Sequence, residues 1–392
     1  MENKKEKEYT KYKNSSFYIL LVILLIVYFA GRAIFQEVVT DFGLGLVWVF
    51  ILGTFFGSYI FNSFMYELGK IIFGKIANYR LVYTNILGLT WSKDKDSKTV
   101  FSFRAMENYG SGTVMAPKDD DYSKCKPGLY LTGGIIFMTL VDLALLGVSF
   151  IIKIDLFPTA FYCAGLMNVL VALIVLILNF APFVHDGGLD GFYLRLLSID
   201  DSANAVYHNN LLQLDALYTG RRQLNHYEYD DYHGILNISS LFYNYYYYMD
   251  KKDEKMAREM IQKVLDHKEY ALESEQIEAE KMIYYFKVKN DSIEKVSEEY
   301  WDLEKSVRKE IVSTSNFDNI KTALLVSALI EVNYDLYEFI VSKIDSRLNK
   351  YQYISRIDNE DELIDETLKL IEKRKPEWFR TDDNQNQETL DK

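Results

Sequence analysis

Phe64-Met65-Tyr66-Glu67-Leu68-Gly69-Lys70 is the stretch on which the fold turns. It places an acid and a base inside a long apolar run, with Tyr66 and Lys70 at i and i+4 on one helix face and Glu67 beside them. Charged side chains in such a run need partners if the run lies in a bilayer. A second stretch, Asn179-Phe180-Ala181-Pro182-Phe183-Val184-His185-Asp186-Gly187-Gly188, stands at the end of the last apolar run and offers them. Its Pro182 breaks a helix, and the freed backbone groups are tolerable at membrane depth only where protein or water satisfies them.

Working outward, four runs are apolar and long enough to span a bilayer, 17–36, 43–76, 129–152 and 160–181, since a span needs about 20 residues. The chain therefore reads as an α-helical polytopic membrane protein with about four transmembrane helices. Run 43–76 would be about 50 Å long as one straight helix, so it is expected to tilt, kink or emerge. Gly53 and Gly57 on adjacent turns are expected to let a neighbouring helix approach. Lys4, Lys5, Lys7, Lys11 and Lys13 precede the first run and Arg80, Lys93, Lys95, Lys98 and Arg104 follow the second, whereas the other loops offer only Arg32 and Lys153. The positive-inside rule then places both termini in the cytoplasm of a multi-pass plasma-membrane protein. Run 17–36 is long for a signal peptide and lacks a cleavage site, so it reads as an uncleaved anchor after a tail over 1–16.

The two stretches, in this order and each at a membrane segment, resemble the paired motifs of the site-2 protease family, the intramembrane zinc metalloproteases. That family reads His-Glu-x-x-His in the first position, two zinc ligands on one helix face with a Glu as general acid/base. Here Tyr66 and Lys70 stand at the histidine positions and Glu67 at the acid/base position. The family's second motif is Asn-x-x-Pro followed by Asp-Gly, whose Asp is the third ligand. Asn179, Pro182, Asp186, Gly187 and Gly188 match it, with the Pro-to-Asp spacing one residue shorter. Gly133-Gly134 matches a Gly-rich start of the family's next helix, where Met138 replaces an Asn. The resemblance covers roughly residues 40 to 195, within a membrane domain 17–198, and implies a small β element near residues 77–127. Tyr79-Arg80-Leu81-Val82-Tyr83 and Thr99-Val100-Phe101-Ser102-Phe103 are β-prone, while Asp119-Asp120-Asp121 reads as a solvated turn rather than a calcium loop.

The substitutions change the chemistry. Deprotonating a lysine at neutral pH costs about 4–5 kcal/mol from a pKa near 10.4, so Lys70 is a poor metal ligand, and Tyr66 is little better. No metal or other cofactor is expected on this basis; a zinc site with altered ligands would have to draw on Asp186, His185 and Glu67. The simpler expectation is that the Lys70 ammonium pairs with Asp186 while Tyr66 donates a hydrogen bond, a structural replacement of the metal that relieves repulsion between Glu67 and Asp186. Asp142, deep in the third run, reads equally as a buried hydrogen-bonding group or as part of this site.

Residues 199–375 carry amphipathic helices with turn clusters at Met249–Asp253, Lys289–Asp291 and Asn333–Asp335, a spacing of about 40 residues that suggests paired-helix repeats similar to tetratricopeptide arrays; an irregular helical bundle is the alternative. Some of the Phe242–Tyr248 aromatic run is expected to face the core, with lining of a peptide groove as the alternative, and His208, His226 and His233 fit no metal spacing. Residues 376–392 form an acidic tail expected to be disordered. The net charge of -12 argues against a nucleic-acid partner, and two distant cysteines give neither a disulfide framework nor a zinc ribbon.

These observations point to a catalytically degenerate pseudoprotease in the bilayer, holding a membrane peptide or single-span protein in its core and recruiting a cytoplasmic protein through residues 199–375. Two alternatives stand beside it: an active intramembrane metalloprotease with altered ligands, and an accessory subunit of a transport or peptide-export system.

Overall fold

The computed structural model describes residues 15–86, 88–93, 98–103, 112–151, 160–180, 190–199, 201–229 and 234–379. It is a mostly helical protein with one small sheet. Among the described residues, three segments are long and apolar enough to cross a membrane, Gly45–Ile76, Tyr122–Ile151 and Ala160–Phe180.

The first helix, α1, runs without interruption over Ser15–Ile76, 62 residues, or about 93 Å at 1.5 Å per residue. Two separate runs were expected here, 17–36 and 43–76. The intervening residues contain no proline, and the helical hydrogen-bond ladder passes through them. Helix α1 ends where Asn78 adopts a left-handed conformation, φ 70°, the conformation that commonly closes a helix. The chain then enters a four-stranded antiparallel sheet of β1 (Tyr79–Ile86), β2 (Leu89–Lys93), β3 (Thr99–Phe103) and β4 (Gly112–Pro117) in the order β3-β2-β1-β4. Ile86 pairs with Leu89 across a tight turn in which Gly88 takes φ 90°, a backbone state open to glycine.

Helix α2 (Pro127–Ile151) starts beside the end of α1, where the Lys126 amide donates to the Ala77 carbonyl at 3.2 Å. It runs antiparallel to α1, and α3 (Ala160–Phe180) returns toward the sheet. Two crossings fix this order. A Cβ on Gly69 would lie 2.6 Å from Phe137 Cβ and 2.7 Å from the Gly133 carbonyl, and a Cβ on Gly133 would lie 2.4 Å from Phe73 Cβ. On α3, a Cβ on Gly165 would meet Ser149 Oγ at 2.6 Å. Such contacts let backbones approach where side chains would not fit. Gly53 and Gly57, by contrast, have nothing within 4 Å among the described residues. The close-packing role expected of them belongs to Gly69, Gly133 and Gly134, because α2 crosses the last turns of α1 rather than its middle.

Helices α4 (Asp190–Ile199) and α5 (Asp201–Thr219) follow. The compact unit that carries the membrane helices extends through Asp215, beyond residue 198, with Asp215 fully buried in an ion pair with Arg80 of β1. Among the described residues, the second unit, Ala216 onward, contains α6 (Ile235–Asp250), α7 (Glu254–Asp266), α8 (Glu273–Asn290), α9 (Ile293–Asp302), α10 (Lys305–Ile311), α11 (Ile320–Leu329), α12 (Tyr334–Val341), α13 (Ile344–Leu348) and α14 (Ile357–Arg374). Each turn cluster separates two helices: α6 from α7, α8 from α9, and α11 from α12. Local chemistry sets the starts: the Asp253 carboxylate accepts from the Met256 amide and the Asn333 side chain from the Leu336 amide. On α7, Ala257, Met260, Ile261 and Val264 then form one buried stripe. Tyr245 and Tyr246 lie in the core, the role expected for part of the aromatic run.

Candidate functional site

Lys70 and Tyr66, one turn apart on α1, converge on a single carboxylate. Tyr66 Oη donates to Asp190 Oδ2 at 2.8 Å, and Lys70 Nζ lies 2.9 Å from Asp190 Oδ1. Both partners of the ion pair are largely enclosed, with side chains 8% and 12% exposed. Asp190 is the first residue of α4, where the helix dipole favours a negative charge. Lys70 also lies over the Tyr130 ring, 5.4 Å from its centroid, a cation–π contact that strengthens when shielded from water.

Glu67 is buried beside this pair, 1% exposed. Its carboxyl group takes a hydrogen bond from the Thr113 side chain of β4, and its Oε2 has no partner among the described residues. Gly134 lets α2 lie against this point, since a Cβ there would meet the Tyr66 carbonyl at 2.9 Å and its ring at 3.0 Å. Gly133 and Gly134 thus hold the face of α1 that carries Tyr66 and Lys70 tightly against α2.

Next along the same face of α1, Asn62 is fully buried. Its Nδ2 donates to the Asn168 side-chain and backbone oxygens of α3, at 3.1 and 3.2 Å. Asn168 Nδ2 donates in turn to Asp142 Oδ1 of α2 at 2.7 Å. Asp142 therefore joins a polar chain across three helices, and no contact between it and Lys70 or Asp190 is present among the described residues. Asn179 donates to the Val175 carbonyl one turn back on its own helix, at 2.8 Å.

Pro182, His185, Asp186, Gly187 and Gly188, and with them the expected pairing of Lys70 with Asp186, lie outside the described residues; among the described residues Lys70 pairs with Asp190. A signal for this was present: Asp190-Gly191 repeats the Asp-Gly of 186–187 four residues on. Among the described residues no group of three or more His, Cys, Asp or Glu is arranged to hold a metal. Lys70 is an ammonium already paired with Asp190, and the Tyr66 hydroxyl is hydrogen-bonded to the same carboxylate, so neither is a ready zinc donor. Within its own unit, His208 Nε2 lies 3.1 Å from the Asp120 carbonyl, and within the second unit His226 packs against Tyr247 and Tyr248; His233 lies outside the described residues.

No family model, curated protein or solved structure matches this chain.

Proposed function

We propose that this chain is a site-2-protease-like membrane protein in which an ion pair has taken the place of the catalytic metal, and that it binds a membrane peptide or single-span protein without cleaving it. The observation that carries the reading is the convergence of Tyr66 and Lys70 on Asp190. In a His-Glu-x-x-His site the residues at i and i+4 point at one ion that a later acid also holds. Here the same two positions point directly at the acid, and the ammonium supplies the positive charge. Glu67 keeps its place but has no metal-bound water to activate. With hydrolysis lost, binding is the activity that the remaining scaffold supports. Both termini and the helices of residues 199–375 lie in the cytoplasm on this reading, and those helices recruit a protein partner.

A photoreactive amino acid at Phe64, which is 41% exposed on the outer face of α1 two residues before Tyr66, tests the proposal in cells. The expected result is a discrete adduct with an intact single-span protein, absent when the probe stands at the more exposed Phe56, which is 60% exposed. Adducts of equal pattern at both positions, or a cleaved client, would overturn it.

A further inference from the structure

A cavity of about 200 Å³ opens beside the start of the second membrane segment, lined by Tyr79 of β1, Tyr122 and Cys125 before α2, and Asn204, Tyr207 and His208 of α5. It is built by tertiary contacts: His208 reaches the Asp120 carbonyl at 3.1 Å, and its ring meets Tyr122 edge-on at 6.5 Å. No Asp, Glu, Lys or Arg lines it among the described residues. The Tyr79 ring stacks on Tyr130 at 5.0 Å, and Tyr130 carries Lys70 on its face at 5.4 Å. Two stacked rings, Tyr79 and Tyr130, therefore separate the cavity from the central ion pair.

Three features define an occupant. Ligand pockets for free small molecules measure about 300–1,000 Å³, so this volume suits a single large side chain better. The walls are aromatic faces with hydroxyl, amide and imidazole groups between them, which matches an uncharged aromatic guest with one polar atom. The position, at the boundary of a membrane-spanning segment, is the level at which membrane proteins concentrate tryptophan and tyrosine. We infer that this cavity receives the boundary tryptophan or tyrosine of the bound single-span client, fixing the client's depth beside the Tyr66–Lys70–Asp190 centre. The inference rests on the binding reading of that centre.

The test uses the full-length protein in detergent micelles with Cys163→Ala, leaving Cys125, which is 7% exposed, as the sole thiol. N-acetyl-tryptophanamide is expected to slow N-ethylmaleimide labelling of Cys125 severalfold and saturably, while N-acetyl-leucinamide leaves it unchanged. Saturation-transfer NMR is expected to show contact between the tryptophan amide and the protein, lost in Ser123→Trp, which fills the rim. Equal effects of the two amides, or transfer that persists in Ser123→Trp, would overturn the inference. Probe binding that survives without any client adduct at Phe64 would overturn the reading of the centre and leave the cavity standing; an adduct without probe binding would overturn the cavity alone.

Discussion

Lys70 Nζ lies 2.9 Å from Asp190 Oδ1, joining the end of the first membrane helix to the first residue of α4 across 120 positions of sequence. Because both side chains are enclosed, the pair behaves as a unit. Removing one member of a buried pair strands the other charge, at a cost of about 3–5 kcal/mol. Lys70→Ala is therefore expected to destabilise the protein by that order in detergent unfolding, while Lys70→Met combined with Asp190→Leu recovers most of the loss. A Lys70→Ala protein as stable as the parent would contradict the pairing.

The helix crossing at Gly69 and Gly133 leaves no room for a side chain, and overpacking of this kind costs about 1–3 kcal/mol. Gly69→Val and Gly133→Val are expected to lower the thermal midpoint and to loosen the site. Gly53→Val and Gly57→Val, facing open space, are the controls and leave the monomer's midpoint unchanged.

Asn168 serves both Asn62 and Asp142. Its replacement by Leu removes partners from two buried polar groups, each worth about 1–3 kcal/mol when stranded. Asn168→Leu is expected to destabilise more than Asn168→Gln or Asp142→Asn, with the same unfolding assay as the readout.

The second unit carries its own buried charges. Arg356, fully buried, binds Asp250 and Glu360, and Lys321 binds Glu360 at 2.5 Å. Burial, followed by the neighbouring Glu360 carboxylate, pushes Asp318 up to about 7, whereas Lys321 and then Arg356 outweigh burial and hold Glu360 below its ordinary value. The signs are opposite. The Asp318 contribution is fully present below the ordinary Asp value and is lost as pH rises through about 7. The Glu360 contribution is present above the ordinary Glu value and is lost as pH falls through its lowered one. Unfolding of the second unit, followed in the full chain, is expected to become easier as pH rises across neutrality, and Asp318→Asn is expected to flatten that slope.

Much of the central arrangement was legible from residue types. Three of the four apolar runs announced helices long and apolar enough to cross a membrane, Tyr66 and Lys70 at i and i+4 announced a shared face, and the need of a buried ammonium for a carboxylate announced an ion pair. Asp190 was not singled out as a partner, because two Asp-Gly pairs stand four residues apart and spacing alone does not say which acids reach Lys70. The polar chain through Asn62 and Asn168 was missed for a related reason. An amide in an apolar helix carries no spacing signal until the facing helix is known. Gly53 and Gly57 misled because a small-residue pattern marks where approach is possible, not which helix arrives. Likewise, the continuity of α1 through residues 37–42 depends on backbone hydrogen bonds that a drop in hydropathy does not interrupt.

The claim that an ion pair stands where a metal would is tested most directly by elemental analysis of the purified protein beside the Tyr66→His/Lys70→His variant. The account predicts no stoichiometric zinc in the parent and about one zinc per chain in the double variant, with His-His-Asp as the ligand set. That zinc is expected to disappear with Asp190→Ala and to persist with Asp186→Ala. Stoichiometric zinc in the parent, or a double variant that binds none while remaining folded, would contradict the account.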